Sequence, residues 1–361
     1  AVYHLMSFQN GQWKIYPLPR NMETPPNFTQ SLCNLPNGCI AIGTIPYQDS
    51  LLTFDPEKEE FILVSHISKA EAEKSGVHYI RLIAPRKDGR IFVETHPGRD
   101  SADFGLEIYD GESFKPFLDV QKDWNIQNLR YLCETEDGDL WIGGILSNTI
   151  KLYSKGKIRS FSVADGYNGG GVVCICEIGK NRIWVGGRDH ILEYDGERWS
   201  VVRSGLATVR SIVKGRDGIV WVASGTGIHR YFNGSWVTNS TEDGLPNTAV
   251  FSVFQDSRGQ VWAGTIGGLS LHHPEADTDP PLAYISEKEN LIETPPAGEV
   301  RLIFSGADRW MQTRSDRLMY SYRLDGQEWS GFRTGTVAML NRLPYGRHRF
   351  EVKAMDVNLN I

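Results

Sequence analysis

Residues 217–236 read DGIVWVASGTGIHRYFNGSW. Three short apolar stretches are separated by two glycine-containing turns, and aromatic residues recur near the strand ends. Asp-Gly and Asn-Gly pairs favour tight hairpin turns, so this stretch predicts successive antiparallel strands. Its pattern returns throughout the chain, which indicates a structural unit rather than a single site.

The unit has six recognisable cores. Each core has an apolar strand before it, and the first five continue into a strand that ends in an aromatic residue. The pattern predicts four antiparallel strands, a to d, in repeats of roughly 40–50 residues, which is typical of a β-propeller. The cores are residues 35–44, 86–95, 136–144, 179–187, 216–224 and 257–265.

The ends of the chain bear on the number of blades. Residues 2–13 match only strands c and d, and the sixth core stops at 268–274 without an obvious strand d. Six cores and a half blade predict an all-β fold with a seven-bladed propeller whose first strands lie upstream of Ala1. A six-bladed ring closed by the N-terminal GQWKIYPL is the alternative.

Composition and charge exclude some classes of function. The 361 residues carry a net charge of −6 and no block of Lys or Arg, so we expect no nucleic-acid binding. No apolar run reaches the ~18–20 residues of a membrane helix. The chain opens on Ala1 without a signal peptide, and we expect it to be a mature or excised piece.

The repeat resembles the two-component regulator propeller repeat. That family has a D-x-x-G-x-[LI]-W-[IV]-G-T core followed by a G-[LI]-x-x-[YF] strand. The best example here is QDSRGQVWAGTIGGLSLH at 255–272, preceded by DGLPNTAVFSVF at 243–254. The other cores fit with one or two substitutions, such as Phe92 in place of the tryptophan.

The pattern changes after a Pro-rich hinge at 277–285. Residues 304–332 and 340–356 resemble the three-tyrosine (Y_Y_Y) domain, an immunoglobulin-like β-sandwich. The matching residues are Tyr320, Tyr322, Leu324, Gly326, Trp329, Gly346 and Phe350, whereas His348 and Leu359 depart from the pattern. We therefore expect a propeller at 1–276, the hinge at 277–285 and a sandwich at 286–361 that ends before its last strand.

The two resemblances together imply a function. Propellers of this type followed by a three-tyrosine domain form the sensor regions of bacterial sensor histidine kinases and hybrid two-component systems. The implied location is the periplasmic or extracellular side of a membrane, reached only through segments that this chain lacks. The implied partners are a small molecule or oligosaccharide and a second copy of the chain bound through the sandwich.

Catalytic and metal-binding motifs are not found. The sequence has no Walker A loop, no H-E-x-x-H and no paired C-x-x-C, so we expect no metal site and no cofactor. His272 and His273 are adjacent on a predicted strand and should point to opposite faces. They are therefore poor joint metal ligands.

Cysteines and aromatic residues recur at fixed blade positions. Cys33, Cys133 and Cys176 fill a slot occupied by Ala84, Val213 and Phe254 elsewhere, so we expect buried, unpaired thiols. Trp141, Trp184, Trp221 and Trp262 recur on strand b, and Tyr109, Tyr153, Tyr194 and Tyr231 recur on strand c. Recurrence at one position predicts packing between blades rather than ligand binding.

The long connections lie between strands b and c and between strands d and a, so all of them should open on one face. Variable loops on a rigid ring are the usual place for binding. Aromatic rings beside polar side chains suit a saccharide or another polar ligand. The candidate binding residues are Tyr47, Arg99, Asp100, Trp124, Tyr167, Arg188, Asp189 and His190.

The main hypothesis is a non-catalytic sensor in which the propeller binds a ligand and the sandwich couples to output or dimerisation. An alternative is a propeller-type carbohydrate-active enzyme, either a glycoside hydrolase or a lyase, with Asp189 and His190 as an acid/base pair. A third possibility, an intracellular scaffold, fits poorly with the sandwich domain. A hydrolase needs two carboxylates at a set separation, and the repeat core offers no such position.

Overall fold

The computed structural model describes residues 4–19, 32–43, 50–66, 79–96, 105–118, 129–144, 148–286, 293 and 298–361. Regular structure in these residues is β-strand, apart from three single 3-10 turns. The described strands form nine antiparallel sheets, numbered here in chain order. The 3-10 turns are Val163–Asp165, Thr241–Asp243 and Pro274–Ala276.

The first five sheets belong to one compact unit, Ala1–Val209. Sheet 1 is a hairpin of β1 (His4–Gln9) and β2 (Gln12–Pro17), and sheets 2 to 5 have four strands each. Sheet 2 contains β3 (Leu32–Asn34), β4 (Ile40–Ile42), β5 (Ser50–Asp55) and β6 (Glu60–Ser65). Sheet 3 contains β7 (Tyr79–Pro85), β8 (Ile91–His96), β9 (Gly105–Tyr109) and β10 (Phe114–Leu118). Sheet 4 contains β11 (Leu129–Glu134), β12 (Leu140–Gly144), β13 (Ile150–Ser154) and β14 (Lys157–Phe161). Sheet 5 contains β15 (Cys174–Gly179), β16 (Arg182–Gly186), β17 (Ile191–Tyr194) and β18 (Trp199–Arg203).

The other four sheets belong to a second compact unit, Arg210–Ile361. Sheet 6 contains β19 (Ser211–Lys214), β20 (Val220–Ser224), β21 (Gly227–Phe232) and β22 (Ser235–Asn239). Sheet 7 contains β23 (Val250–Gln255), β24 (Val261–Thr265) and β25 (Gly268–Leu271). Sheet 8 contains β26 (Leu282–Ile285), β27 (Glu299–Ala307) and β29 (Val337–Asn341), and sheet 9 contains β28 (Met319–Leu324) and β30 (Phe350–Met355).

The four-stranded pattern predicted from the repeat is confirmed in sheets 2 to 6. The two strands of sheet 1 and the three strands of sheet 7 match the predicted half blade and the predicted lack of a strand d. Within each unit the first strands of successive sheets contact one another: β3 with β7, β7 with β11 and β11 with β15 in the first, and β19 with β23 in the second. These sheets are β-propeller blades, and the first strands of neighbouring blades lie next to one another.

The second strand of sheets 3 to 6 is buried on both faces. In β8, Ile91 and Val93 pack against sheet 2, while Phe92 between them packs against sheet 4. Successive side chains of a strand point to opposite faces, so a continuous apolar run suits a strand held between two neighbours. This explains why the strand b cores read as unbroken hydrophobic stretches.

The a–b turns need a left-handed residue. Gly89 and Gly218 both have φ of 84°, and Asn181 supplies the same conformation at φ 57° where glycine is absent. The preceding aspartate closes the turn, as Asp217 does by accepting a hydrogen bond from the Ile219 N–H at 3.0 Å. Glycine and asparagine tolerate positive φ better than other residues, which accounts for the turn signal in the sequence.

The recurring aromatic residues pack as predicted. Trp141, Trp184 and Trp221 are buried, and Trp141 contacts Tyr194 and Trp199 of the next sheet at ring-centroid distances of 5.4 and 5.9 Å. The packing prediction is confirmed for the buried members of the set, which also include Tyr109 and Tyr194, whereas Tyr153, Tyr231 and Trp262 are only half-buried.

The cysteine slot is less uniform than predicted. The five cysteines all lie in the described part of the chain and form no disulfide bond. Each slot residue pairs with the strand b aromatic position, as Cys176 does with Trp184. Cys33 is buried, but Cys133 and Cys176 are only half-buried, and Phe254 is 62% exposed. The expectation of a fully buried slot is therefore correct for Cys33 and wrong for the other two cysteines.

Sheets 8 and 9 enclose an apolar core of their own. The core includes Leu302, Phe304, Leu318, Tyr320, Ala338 and Ala354. Tyr320 and Tyr322 lie on β28 and Phe350 begins β30, so the segments that resemble the three-tyrosine domain form strands. The predicted hinge at 277–285 includes β26, and its Asp277 is buried.

The two compact units divide inside the repeat series, at Val209 and Arg210, and sheets 6 and 7 group with sheets 8 and 9. The predicted boundary between repeat and sandwich, at 276 and 277, marks a change of sequence pattern and stays a prediction. None of the described residues lies in a helix with the length and apolar character needed to cross a bilayer.

Candidate functional site

The predicted loop face is described only in part. Tyr47, Arg99, Asp100 and Trp124 lie outside the described residues. The remaining four candidates are Tyr167, Arg188, Asp189 and His190, all in the first unit. Their binding role stays a prediction, but their surroundings are visible.

Arg188, Asp189 and His190 form the b–c turn of sheet 5. Arg188 and Asp189 are exposed, and His190 is half-buried. The turn is closed by the Gly187 N–H, which donates to the His190 carbonyl at 2.9 Å. The segment after β18 pairs with it, since the Leu206 and Val209 N–H groups donate to the Asp189 and Gly187 carbonyls at 3.0 and 2.9 Å. Backbone hydrogen bonds therefore hold this turn in one conformation, with the charged side chains of Arg188 and Asp189 exposed to solvent.

Tyr167 does not belong to this exposed set. Its side chain is completely buried, and its ring packs edge-on against Trp199 at 5.0 Å. Tyr167 therefore takes part in blade packing, which corrects its place among the loop aromatics that should face a ligand. The reason is visible in the sequence: Asp165-Gly166-Tyr167 occupies the same place as Asp243-Gly244-Leu245.

The local geometry confirms this equivalence. Tyr167 and Leu245 each donate their N–H to a serine carbonyl five residues earlier, at 2.9 and 3.2 Å. In both places a serine and an aspartate form a capping box around one 3-10 turn, and a left-handed glycine follows. Tyr167 is thus the apolar anchor of a recurring d–a connection.

The Tyr167 loop nevertheless touches the Asp189 turn. The Gly169 carbonyl oxygen lies 3.2 Å from the place where a Cβ on Gly187 would be. The Tyr167 hydroxyl and the His190 Nε2 are both buried and make no hydrogen bond to a described residue. Burial raises the pKa of the Tyr167 phenol, so this hydroxyl stays protonated.

A second candidate site lies at the opposite end of the blades. A pocket of about 200 Å³ opens between sheets 4 and 5, at their a–b and c–d turns. Its walls are the side chains of Trp141, Leu152, Ile183 and Tyr194, and its polar groups include Asp137, Asp139 and Glu177. The loop-face prediction did not include these residues, because as single positions they look like ordinary turn and packing residues.

The pocket is smaller than a usual ligand site. Sites for drug-sized ligands have volumes of about 300–1,000 Å³. A single water needs only about 10–15 Å³, so the pocket has room for a small group rather than an oligosaccharide. Its three carboxylates favour a positively charged group.

Residues 244–267 match the model of the two component regulator propeller family. No curated protein shows a significant sequence match to the chain. Among solved structures, the fold resembles the extracellular domain of a protein from B. thetaiotaomicron that is described as a hybrid two component system. That match has a TM-score of 0.60 and 18% identity, covering 97% of this chain and 50% of the other.

Two further structures share the fold. One is PorZ, a bacterial surface component of the type-IX secretion system of Porphyromonas gingivalis, with a TM-score of 0.55 and 14% identity over 98% of this chain and 56% of PorZ. The other is a catalytically inactive virginiamycin B lyase from Staphylococcus aureus with quinupristin, with a TM-score of 0.50 and 12% identity over 85% of this chain and 96% of the lyase. The chain spans about half the length of the first two proteins.

Proposed function

We propose that this chain is a non-catalytic sensor region of a bacterial two-component signalling protein, on the periplasmic or extracellular side of a membrane. The observation that carries the proposal is the fold likeness along 97% of the chain to an extracellular domain described as part of a hybrid two component system. The family match at 244–267 supports it, because this repeat is named for two-component regulators.

The ligand is proposed to bind at the loop face. Arg188 and Asp189 are exposed on a turn that backbone hydrogen bonds hold in place. Rigid presentation of a charged pair suits a small polar ligand or an oligosaccharide. Tyr47, Arg99, Asp100 and Trp124 complete the proposed site, and His190 lies beside it.

The C-terminal sheets are proposed to form an immunoglobulin-like three-tyrosine domain that couples ligand binding to output or to a homodimer. Contacts inside the second unit support the coupling. Arg317 forms an ion pair with Asp243 at 2.8 Å, and the Phe332 N–H donates to the Ser235 hydroxyl at 2.9 Å. These contacts join sheet 6 and the turn after it to the segments on either side of β28. A conformational change in sheet 6 could therefore be transmitted to sheet 9.

A buried arginine adds to this connection. Arg230 is 1% exposed, donates to the Val357 carbonyl and lies 5.3 Å from the Trp221 ring centroid. Burial lowers the pKa of this guanidinium to about 10, which still leaves it charged at neutral pH. A buried charge is costly unless it is paired, so this contact fixes one geometry between blade and C-terminal sheets.

The test is a thermal-shift screen with oligosaccharides and small polar metabolites, since a ligand of the folded state raises its melting temperature. Any hit is then titrated by calorimetry into the parent and into an Arg188→Ala, Asp189→Ala variant. We expect the double variant to lose at least about tenfold in affinity while it melts like the parent. A hit with undiminished affinity in the variant would contradict the loop-face site.

The enzyme alternative rests on the fold likeness to the lyase. Asp189 and His190 do not share one environment: the Asp189 carboxylate is exposed and accepts from the Gly205 N–H at 3.4 Å, whereas the His190 Nε2 is buried. This arrangement does not favour an acid/base pair. Product formation from a screened saccharide, lost in an Asp189→Asn variant, would overturn the non-catalytic proposal.

A further inference from the structure

A hydrogen bond between neighbouring sheets recurs at the a–b turns. The backbone N–H of a turn residue donates to a side chain near the end of the next sheet's first strand. The pairs are Lys87 to Glu134 at 2.8 Å, Glu136 to Glu177 at 2.8 Å and Arg216 to Gln255 at 3.0 Å. Because the same bond forms each time, the spaces beside these bonds are equivalent and can be compared.

Between sheets 3 and 4 that space holds a guanidinium of the chain itself. Arg86 donates from Nη2 and Nε to the Glu134 carboxylate at 2.9 and 3.3 Å. Its guanidinium lies 5.0 Å from the centroid of the Phe92 ring. Side-chain exposure of 14% and 10% shows that the Arg86–Glu134 pair is largely enclosed.

Between sheets 4 and 5 the arginine is replaced by a short side chain. Thr135 stands at the Arg86 position, since both residues form the same backbone bond across their turns, at 2.8 Å. Trp141 occupies the position equivalent to Phe92, and Glu177 occupies the position equivalent to Glu134. Thr135, Trp141 and Glu177 all line the 200 Å³ pocket.

The remaining walls favour a cation. Asp137 and Asp139 add two carboxylates, and the described residues that line the pocket include no Lys, Arg or His. Leu152 lies opposite Trp141 in the sheet register, as Ile108 lies opposite Phe92. At this position, strand c of sheet 4 therefore has a side chain no longer than leucine.

One basic side chain contacts the pocket wall from outside. Arg159 reaches the Tyr194 hydroxyl at 3.4 Å, and its guanidinium lies 4.4 Å from the Phe161 ring centroid. Arg159 is absent from the pocket lining. It therefore leaves the Glu177 side of the pocket open to another cation.

We propose that this pocket binds a guanidinium group supplied from outside the chain, in the place that Arg86 fills in the preceding repeat. Glu177 is the paired anion, Asp137 and Asp139 add negative potential, and Trp141 with Tyr194 provides the apolar walls. Planar guanidinium suits this combination, since it pairs with a carboxylate and tolerates an aromatic neighbour. The site is independent of the ligand proposed for the loop face.

The test uses agmatine, a small guanidinium compound, titrated by calorimetry into the full chain. Its analogue N-carbamoylputrescine has nearly the same shape and the same terminal ammonium, but a neutral urea in place of the guanidinium. We expect saturable binding of agmatine and none of the analogue. Equal binding of both compounds, or no agmatine binding, would overturn the proposal.

Two variants locate the site. Glu177→Gln keeps an oxygen that can accept from the Glu136 N–H but removes the charge, and it should weaken agmatine at least about tenfold. Thr135→Arg restores the arrangement of the preceding repeat and should abolish binding without lowering the melting temperature. The matched control, Glu134→Gln, changes the carboxylate already paired with Arg86 and should leave agmatine affinity unchanged.

A pentapeptide with a central arginine separates the two sources of such a group. Binding of both agmatine and the peptide indicates a site open to protein side chains, and binding of agmatine alone indicates a small-molecule site. Undiminished agmatine binding in both Glu177→Gln and Thr135→Arg would place the interaction elsewhere and overturn the assignment.

Discussion

Tyr167 stands where the chain has leucine in an equivalent connection. As a loop aromatic outside the strand pattern it looks like a ligand-binding residue. Its environment is set by the Asp-Gly pair before it, which turns the chain so that the next side chain points inward, as at Leu245. The burial of Tyr167 could be predicted from the sequence by comparing the d–a connections with one another, in addition to the strands.

Replacement of Tyr167 should separate its packing from its hydroxyl. Tyr167→Ala should lower the free energy of unfolding by about 3–5 kcal/mol, because a fully buried ring is lost. Tyr167→Phe should leave it unchanged or raise it by about 1 kcal/mol, since the buried hydroxyl has no described hydrogen-bond partner. Urea unfolding measures both, and a Tyr167→Ala variant with the parent's midpoint and slope would contradict the packing role.

His272 should make the stability of the second unit depend on pH. Burial and the neighbouring Arg230 guanidinium lower the pKa of His272 to about 4. Between about pH 6.5 and pH 4 the unfolded chain binds a proton that the folded chain does not, so stability falls as the pH is lowered through this window. With some solvent screening, the loss should be about 2 kcal/mol.

In the parent protein the ring centroids of His272 and Trp221 are 5.0 Å apart. The matched variant is His272→Phe, which keeps a ring against Trp221 but has no group that titrates. Urea unfolding at pH 7 and pH 4.5 should show a smaller loss for the variant than for the parent. The same loss in both proteins would show that other groups carry the pH dependence.

At the scale of the strand and turn, the sequence predicts much of the fold. Asp-Gly and Asn-Gly turns and the apolar strand b cores locate the five complete blades, the half blade and the three-stranded seventh sheet. The pocket between sheets 4 and 5 could not be predicted in the same way. It depends on Thr135 replacing an arginine and on which side chains of the next sheet face that position, and only the register between blades shows this.

The glycine of the strand b core has a packing reason that can be tested. A Cβ on Gly186 would lie 2.5 Å from the Cys174 Sγ and 2.6 Å from the Val209 Cγ1. Both neighbours are buried, so Gly186→Ala should lower the free energy of unfolding by about 1–3 kcal/mol. The control is Gly331→Ala, where a Cβ meets nothing within 4 Å. Equal stability of the two variants would show that the d–a segment can move aside.

At the scale of the molecule, sequence pattern and compactness divide the chain differently. The repeat pattern ends near residue 276, but sheets 6 and 7 share a compact unit with sheets 8 and 9. Val237 of β22 packs in one buried cluster with Met319, Met355 and Val357. A repeat pattern shows which segments form similar elements. It does not predict this cluster, because the cluster brings together side chains that are far apart in the sequence.

The shared cluster predicts that sheet 6 and sheet 9 lose protection together. Val237→Lys would place a second positive charge in the cluster, opposite the buried Arg230 in the strand register, which should open both sides of the contact. Hydrogen exchange should therefore become faster in β22, β28 and β30, by about tenfold or more, while β12 in the first unit keeps the parent's rate. The control is Val201→Lys, at a position 62% exposed on β18, which should change none of these rates. Faster exchange confined to β22 would show that the C-terminal sheets fold without support from the blade, and the coupling proposed for the sensor would then lose its physical basis.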